Sequence, residues 1–134
     1  MINIIVPGEP VGKGRPRFGR GRTYTPEKTA NAEAVVREYA RAAYPEKKHL
    51  ISGPVCLTVI FFMTIPKSWS KKKQHQADIG EVRPTSTPDI DNLLKLVGDA
   101  LNGVVYLDDK QIIEVRADKL YSHNPRTDVS VHIL

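Results

Sequence analysis

Two aspartates stand two residues apart in Pro88-Asp89-Ile90-Asp91-Asn92-Leu93-Leu94-Lys95. An acidic doublet, Asp108-Asp109, follows after one helix length and one short strand length of chain. Hard divalent cations take oxygen ligands, and Mg²⁺ combines a few carboxylates with waters and substrate phosphate oxygens. Asp89, Asp91 and one of Asp108 and Asp109 meet that inventory. An ion so held can polarise a phosphodiester, lower the pKa of a bound water and stabilise the leaving oxygen. Lys95 is four residues after Asp91 and so shares its helical face. Its ammonium could stabilise a charged transition state or hold the scissile phosphate. Each feature also has a plain structural reading. Asp89 suits an N-cap, and Asp91 in the first turn favours the helix dipole, worth ~0.3–1 kcal/mol. Asp91–Lys95 is an ordinary helix pair, and the doublet is ordinary turn chemistry. A cap needs one aspartate, however, and this helix start offers two, with a further pair beyond it.

The elements that must position these groups can be read from pattern. Residues 1–6 form a short strand ended by Pro7-Gly8. The stretch 7–24, rich in glycine and proline, excludes a helix and argues against a regular strand. Thr25-Pro26-Glu27 opens a helix running to about Tyr44, with Ala32, Val35, Val36, Tyr39, Ala42 and Ala43 inward and Glu33, Arg37, Glu38 and Arg41 outward. Residues 54–65 are apolar nearly throughout, as in a central strand. Residues 67–79 make a polar insert with Trp69, where Ser70 permits a short helix. A second main helix covers residues 89–102, its stripe formed by Ile90, Leu93, Leu94, Val97 and Leu101. Residues 104–107 are expected as a short strand and 108–110 as a turn. Strands follow over 111–121, with Ile113, Val115 and Ala117 inward, and over 127–134, with Val129, Val131 and Ile133 inward. The order points to a single α+β domain over residues 1–134, a mixed β-sheet with two main helices packed against it.

Charge is divided along the chain. Residues 1–83 carry 15 Lys and Arg against 7 Asp and Glu, whereas residues 84–134 carry 5 against 8, within a net charge of +5. A basic part that holds a polyanion, joined to an acidic part that holds a metal, fits this division. One cysteine, Cys56, excludes an intramolecular disulfide and a multi-cysteine zinc site. His49, His75, His123 and His132 lack ligand spacing. No apolar run reaches a membrane span, and residues 1–6 lack the charged start and length of a signal peptide, so a cytoplasmic protein is expected.

The segment 88–95, with Gly98-Asp99-Ala100-Leu101-Asn102-Gly103 and Val105-Tyr106-Leu107-Asp108-Asp109-Lys110-Gln111-Ile112, resembles the RusA family of Holliday junction resolvases. The order D-x-D-N-x-x-K, then D-A-L, then D-D-x-Q agrees through about 25 residues, a far more specific signal than D-x-D alone. The resemblance implies a homodimeric, Mg²⁺-dependent endodeoxyribonuclease, with Mn²⁺ able to substitute, that cuts four-way DNA junctions by paired symmetric nicks in recombination and repair. It places the metal ligands at Asp89, Asp91 and Asp109, with Asp108 beside them, and the catalytic lysine at Lys95; Asn92 would orient the loop or a metal-bound water. It implies a RusA-like fold and a cytoplasmic, nucleoid-associated protein.

The N-terminal loop departs from the family in being longer and more basic, and the lysine-rich insert is a second departure. Lys13, Arg15, Arg17, Arg20 and Arg22, with no acid between Pro10 and Pro26, suit contacts with DNA phosphates. Lys71, Lys72 and Lys73 form a second basic group beside Trp69, whose ring could stack on an unpaired base. Nothing in the pattern suggests a major-groove reading helix. A four-way junction has two-fold symmetry, which a homodimer matches. Two other readings remain open at this level: a non-catalytic DNA-binding protein whose aspartates are caps and turns, and a metal-dependent phosphoesterase acting on nucleotides. The latter leaves the extended basic surface unexplained.

Overall fold

A computed structural model describes residues 1–14, 17–19, 22–24, 27–45 and 49–134, with backbone only for 17–19 and 22–24. Strands β1 (Ile2–Pro7), β2 (Arg17–Gly19) and β3 (Arg22–Tyr24) precede helix α1 (Glu27–Ala43). Then come β4 (Val55–Thr64), α2 (Lys71–Asp78), α3 (Ile90–Ala100), a single 3-10 turn (Asp109–Gln111), β5 (Ile112–Ser122) and β6 (Arg126–Ile133). The main sheet has the order β1-β6-β4-β5. β4 pairs parallel with β5 and antiparallel with β6, so the sheet is mixed, as expected. A parallel pair needs a crossover, and α3 lies within it. Among the described residues no helix is long and apolar enough to cross a membrane.

Alternation on β4 buries Val55, Leu57, Val59, Phe61 and Met63 under the helices. Ile4 and Val6 of β1 and Val129 and Val131 of β6 extend that surface. α3 presses Leu93, Leu96, Val97 and Ala100 into it. Ile90, expected in the stripe, is exposed, and Leu96 is buried instead, because α3 packs on α1 as well as on the sheet.

Several expectations change. The buried face of α1 is Thr29, Glu33, Val36 and Ala40, while Val35 and Tyr39 are exposed. Glu33 turns inward because Lys13 meets it there. The basic loop, argued above not to hold a regular strand, contains the short antiparallel pair β2–β3. Arg15 and Arg20 lie outside the described residues, as do the side chains of Arg17 and Arg22. The start at Thr25 and Pro26 is likewise outside them. Residues 104–107 are a turn rather than a strand, held by Leu107 N donating to Ile51 O and by isolated bridges at Tyr106. β5 lies at the sheet edge with a register shift opposite Val55 and Cys56, which leaves Ile113 as the extra residue and 64% exposed. A bulge both breaks alternation and bends the strand. Val115 on the same edge is half exposed, and Ile133 is exposed at the far end of β6.

Candidate active site

The tip of α3 is where the chain gathers its polar groups. Asp89 takes the N-cap position with extended backbone, and Leu93 N donates to its carbonyl at 3.0 Å. Its side chain makes no capping hydrogen bond. The capping reading of Asp89 therefore loses its main support, and among the described residues no other group bonds its carboxylate. Asp91, in the first turn, is exposed and lines a cleft of about 220 Å³ with Lys95, Asp109, Leu57, Leu94, Gly98, Ile112 and Val115.

The second acidic segment reaches that cleft through a set of specific bonds. The Tyr106 side chain is fully buried, and its hydroxyl donates to Gly98 O at 2.7 Å. This bond ties the turn back onto α3, and burial pushes the phenol pKa up. Gln111 closes the 3-10 turn. Its Nε2 donates to Ile51 O at 2.7 Å and Gly53 O at 2.9 Å, and its Oε1 accepts from Asp108 N at 2.8 Å. Asp108 Oδ1 accepts from Lys110 N at 3.0 Å, completing a reciprocal cap. Of the doublet, then, Asp108 holds the turn and Asp109 faces the cleft. Asp108, expected beside the metal ligands, uses its Oδ1 in this cap. The Lys110 backbone bond, followed by the neighbouring Asp109 carboxyl, holds its pKa below the ordinary carboxylate value. Asp109 is raised, first by its hydrogen-bond contact with Asp108 and then by burial, against the opposing pull of Lys95.

Lys95 Nζ lies 3.5 Å from Asp109 Oδ2 and 3.1 Å from Asp99 Oδ1. Its bond to Asp99 is the main reason its pKa is raised. Asp99 in turn receives Lys13 Nζ at Oδ2, 3.2 Å away. Lys13 also pairs with Glu33, which has Arg37 nearby at 3.9 Å. Burial alone would lower the Lys13 pKa, but Glu33 and Asp99 together raise it. Burial likewise opposes ionisation of Asp99, yet bonds from Lys95 and Lys13 keep its pKa below the usual value.

The loop that carries Lys13 is wedged against the tip of α3. Lys13 N donates to Asn92 O at 2.9 Å, and Gly14 N to Thr29 Oγ1 at 2.8 Å. At Gly12 a Cβ would fall 2.9 Å from Pro88 Cβ, so this close approach requires glycine. From the other side, Lys119 Nζ donates to Ser86 O at 2.7 Å and Pro88 O at 2.8 Å, fixing the chain that enters α3.

The structure thus brings Asp91, Lys95 and Asp109 into one cleft, with Asp89 at the adjoining helix tip. It does not gather them into a finished nest: among the described residues no three acids, histidines or cysteines stand close enough to hold an ion. The donor set is nevertheless of the right chemistry, with carboxylate oxygens on Asp89 and Asp91 that no described residue pairs and an Asp109 oxygen balanced by an ammonium. Lys13, expected at DNA, has its charge engaged by two carboxylates. Lys71, Lys72 and Lys73 are exposed on α2. Lys73 Nζ sits 4.0 Å from the centre of the Trp69 ring, which also meets Tyr121 edge-on at 5.3 Å. The ring offered above as a base-stacking surface therefore also anchors α2 to β5. Asp99, Glu33, Gln111 and Gly12 were not assigned roles from sequence. The i,i+4 spacing of Lys95 and Asp99 was a readable signal, whereas the pairing of Lys13 with Glu33 and Asp99 joins distant segments and left none.

A small α+β domain that collects carboxylates and one lysine at a helix tip is thereby defined. Its sequence matches the family model described as "Endodeoxyribonuclease RusA" over residues 7–132. The chain belongs to the RusA endodeoxyribonuclease family. A relative in Bacillus subtilis (strain 168), bearing the name "Uncharacterized protein YqaN", is 40% identical over 136 residues, covering 97% of this chain and 94% of its own.

Proposed function

We propose that this protein is a divalent-metal-dependent endodeoxyribonuclease that resolves four-way DNA junctions by paired nicks, acting as a homodimer in the cytoplasm and on the nucleoid. The observation that carries the reading is the shared cleft of Asp91, Lys95 and Asp109 in a chain of this family. Asp89, Asp91 and Asp109 would hold Mg²⁺ or Mn²⁺. When bound, such an ion supplies Lewis-acid polarisation of the phosphodiester and a more acidic water. Lys95 offers a proton-rich cation to the non-bridging phosphate oxygens, and Asp109 is the carboxylate that orients it. Asp108 and Gln111 keep Asp109 at the cleft, and Lys119 keeps the segment before Asp89 in place.

DNA contacts fall to Lys71, Lys72 and Lys73 on α2 and to the arginines of the basic loop, Arg15, Arg17, Arg20 and Arg22, with binding led by shape and weakened by salt. Lys13 serves instead to seat that loop on α3. The rival reading, a DNA-binding protein whose aspartates are only caps, agrees with Asp108 but not with Asp89, which makes no cap. A synthetic four-way junction incubated with the protein and Mg²⁺ should yield symmetric nicks on opposing strands. Junction binding without cutting in either Mg²⁺ or Mn²⁺ would favour the rival.

A further inference from the structure

Asp99 is an awkward residue for its position. It lies in the last turn of α3, where the helix dipole disfavours an acid. Lys95 and Asp99 form an i,i+4 pair with the lysine first, the less favourable order on a helix. The favourable partner, Asp91, is four residues before Lys95, yet the ammonium turns to Asp99 and Asp109. Helix propensity therefore does not account for Asp99. Its surroundings do. One carboxylate oxygen receives Lys95 and the other receives Lys13, while Arg37 Nη2 donates to its backbone carbonyl at 3.4 Å. With its side chain only 19% exposed, it is held between α1, the N-terminal loop and the cleft.

We propose that Asp99 is a positioning residue for the cleft: Oδ1 holds the Lys95 ammonium beside Asp109, and Oδ2 couples it through Lys13 to the root of the basic loop. The inference rests on the nuclease reading above. Two bonds to fixed carboxylates restrict a flexible four-carbon side chain, so the lysine meets the reacting phosphate without first being ordered. Lys13 also donates its backbone N–H to Asn92, so one carboxylate joins Lys95 to the point where the basic loop meets α3.

The test is single-turnover cleavage of a saturated junction complex. Asp99→Asn should lower the rate about tenfold or more, with the junction Kd unchanged within about twofold. Asp99→Glu should recover most of the rate. In a Lys95→Met background, Asp99→Asn should cause no further loss, since the group it positions is gone. The Asn variant leaves Lys13 bonded to Glu33 and Lys95 bonded to Asp109, so no ammonium is stranded. A cooperative melt checks that it folds, and Asp99→Ser replaces it if it does not. A parental rate in Asp99→Asn, a loss confined to Kd, or losses that multiply on Lys95→Met would overturn this inference alone. A parent protein that cuts no branched DNA in either metal would overturn the nuclease reading, and the inference with it.

Discussion

Lys95 Nζ stands 3.5 Å from Asp109 Oδ2, so an ammonium already sits against the carboxylate assigned to a metal. Two cations cannot share one oxygen without repulsion. Lys95→Met should therefore bind Mn²⁺ or Mg²⁺ more tightly than the parent while cutting junctions about 10²–10³-fold more slowly, a loss in the range of removing one charge-stabilising group. Titration calorimetry gives the first result and a cleavage time course the second. Weaker metal binding in this variant would place the ion away from Asp109.

Asp91→Asn and Asp109→Asn should bind junctions with parental affinity and cut at least about 10²-fold more slowly. The distinction matters because Asp91 is exposed and makes no ion pair among the described residues, so its loss has little structural consequence. A gel-shift assay in EDTA paired with a cleavage gel separates the two properties. Full activity in Asp91→Asn would remove the metal assignment.

Metal should also raise the melting midpoint, because an ion that binds only the folded state stabilises it by mass action: about 2.7 kcal/mol at a hundred times Kd. Asp89 is the informative position. Its side chain makes no cap, so Asp89→Asn should leave the metal-free midpoint nearly unchanged and reduce the Mn²⁺-induced rise. A large drop without metal, and an undiminished rise with it, would return Asp89 to a structural role.

Much of this architecture is legible in the residues themselves. The near-continuous apolar run of β4 and the three-to-four spacing on α3 both mark elements that form where the sequence places them, though Ile90 leaves the α3 stripe. The face of α1 is not legible, because Glu33 is pulled inward by Lys13, twenty residues away. Nor does alternation predict β5, where a single bulge frees Ile113 and resets the strand. The turn at Tyr106 looks like a strand because its side chains are buried; only the bond to Gly98 reveals why. Residues of a local motif are legible in the sequence, whereas partners joined by long-range ion pairs are not.

Gly12→Ala tests the seat of the basic loop. The added methyl would lie 2.9 Å from Pro88 Cβ and 3.4 Å from Asn92 Cβ, and neither neighbour is the free end of a flexible chain. Overpacking of this kind costs about 1–3 kcal/mol. Urea denaturation should show that loss at an unchanged m-value, together with slower cutting as the loop lifts from α3. A neutral substitution would mean that the loop adapts without cost.

The charge chain predicts an acid signature. Asp99 has a lowered pKa because Lys95 and Lys13 outweigh its burial. A carboxylate lowered in the folded state contributes stability that is fully present above its unfolded value of 3.8 and is lost as pH falls through the folded value. Asp109 acts oppositely: its raised pKa means that protonation relieves a strained carboxylate, so acid first favours the folded state there. As pH falls below the ordinary carboxylate value of 3.8 the parent should thus lose stability through Asp99, and Asp99→Asn should show a flatter decline. Near pH 7 the same substitution should cost about 1 kcal/mol, the range of a partly exposed charged pair. Melting curves from pH 2 to pH 7 would decide it, since an equally steep acid decline in Asp99→Asn assigns the proton uptake to other carboxylates.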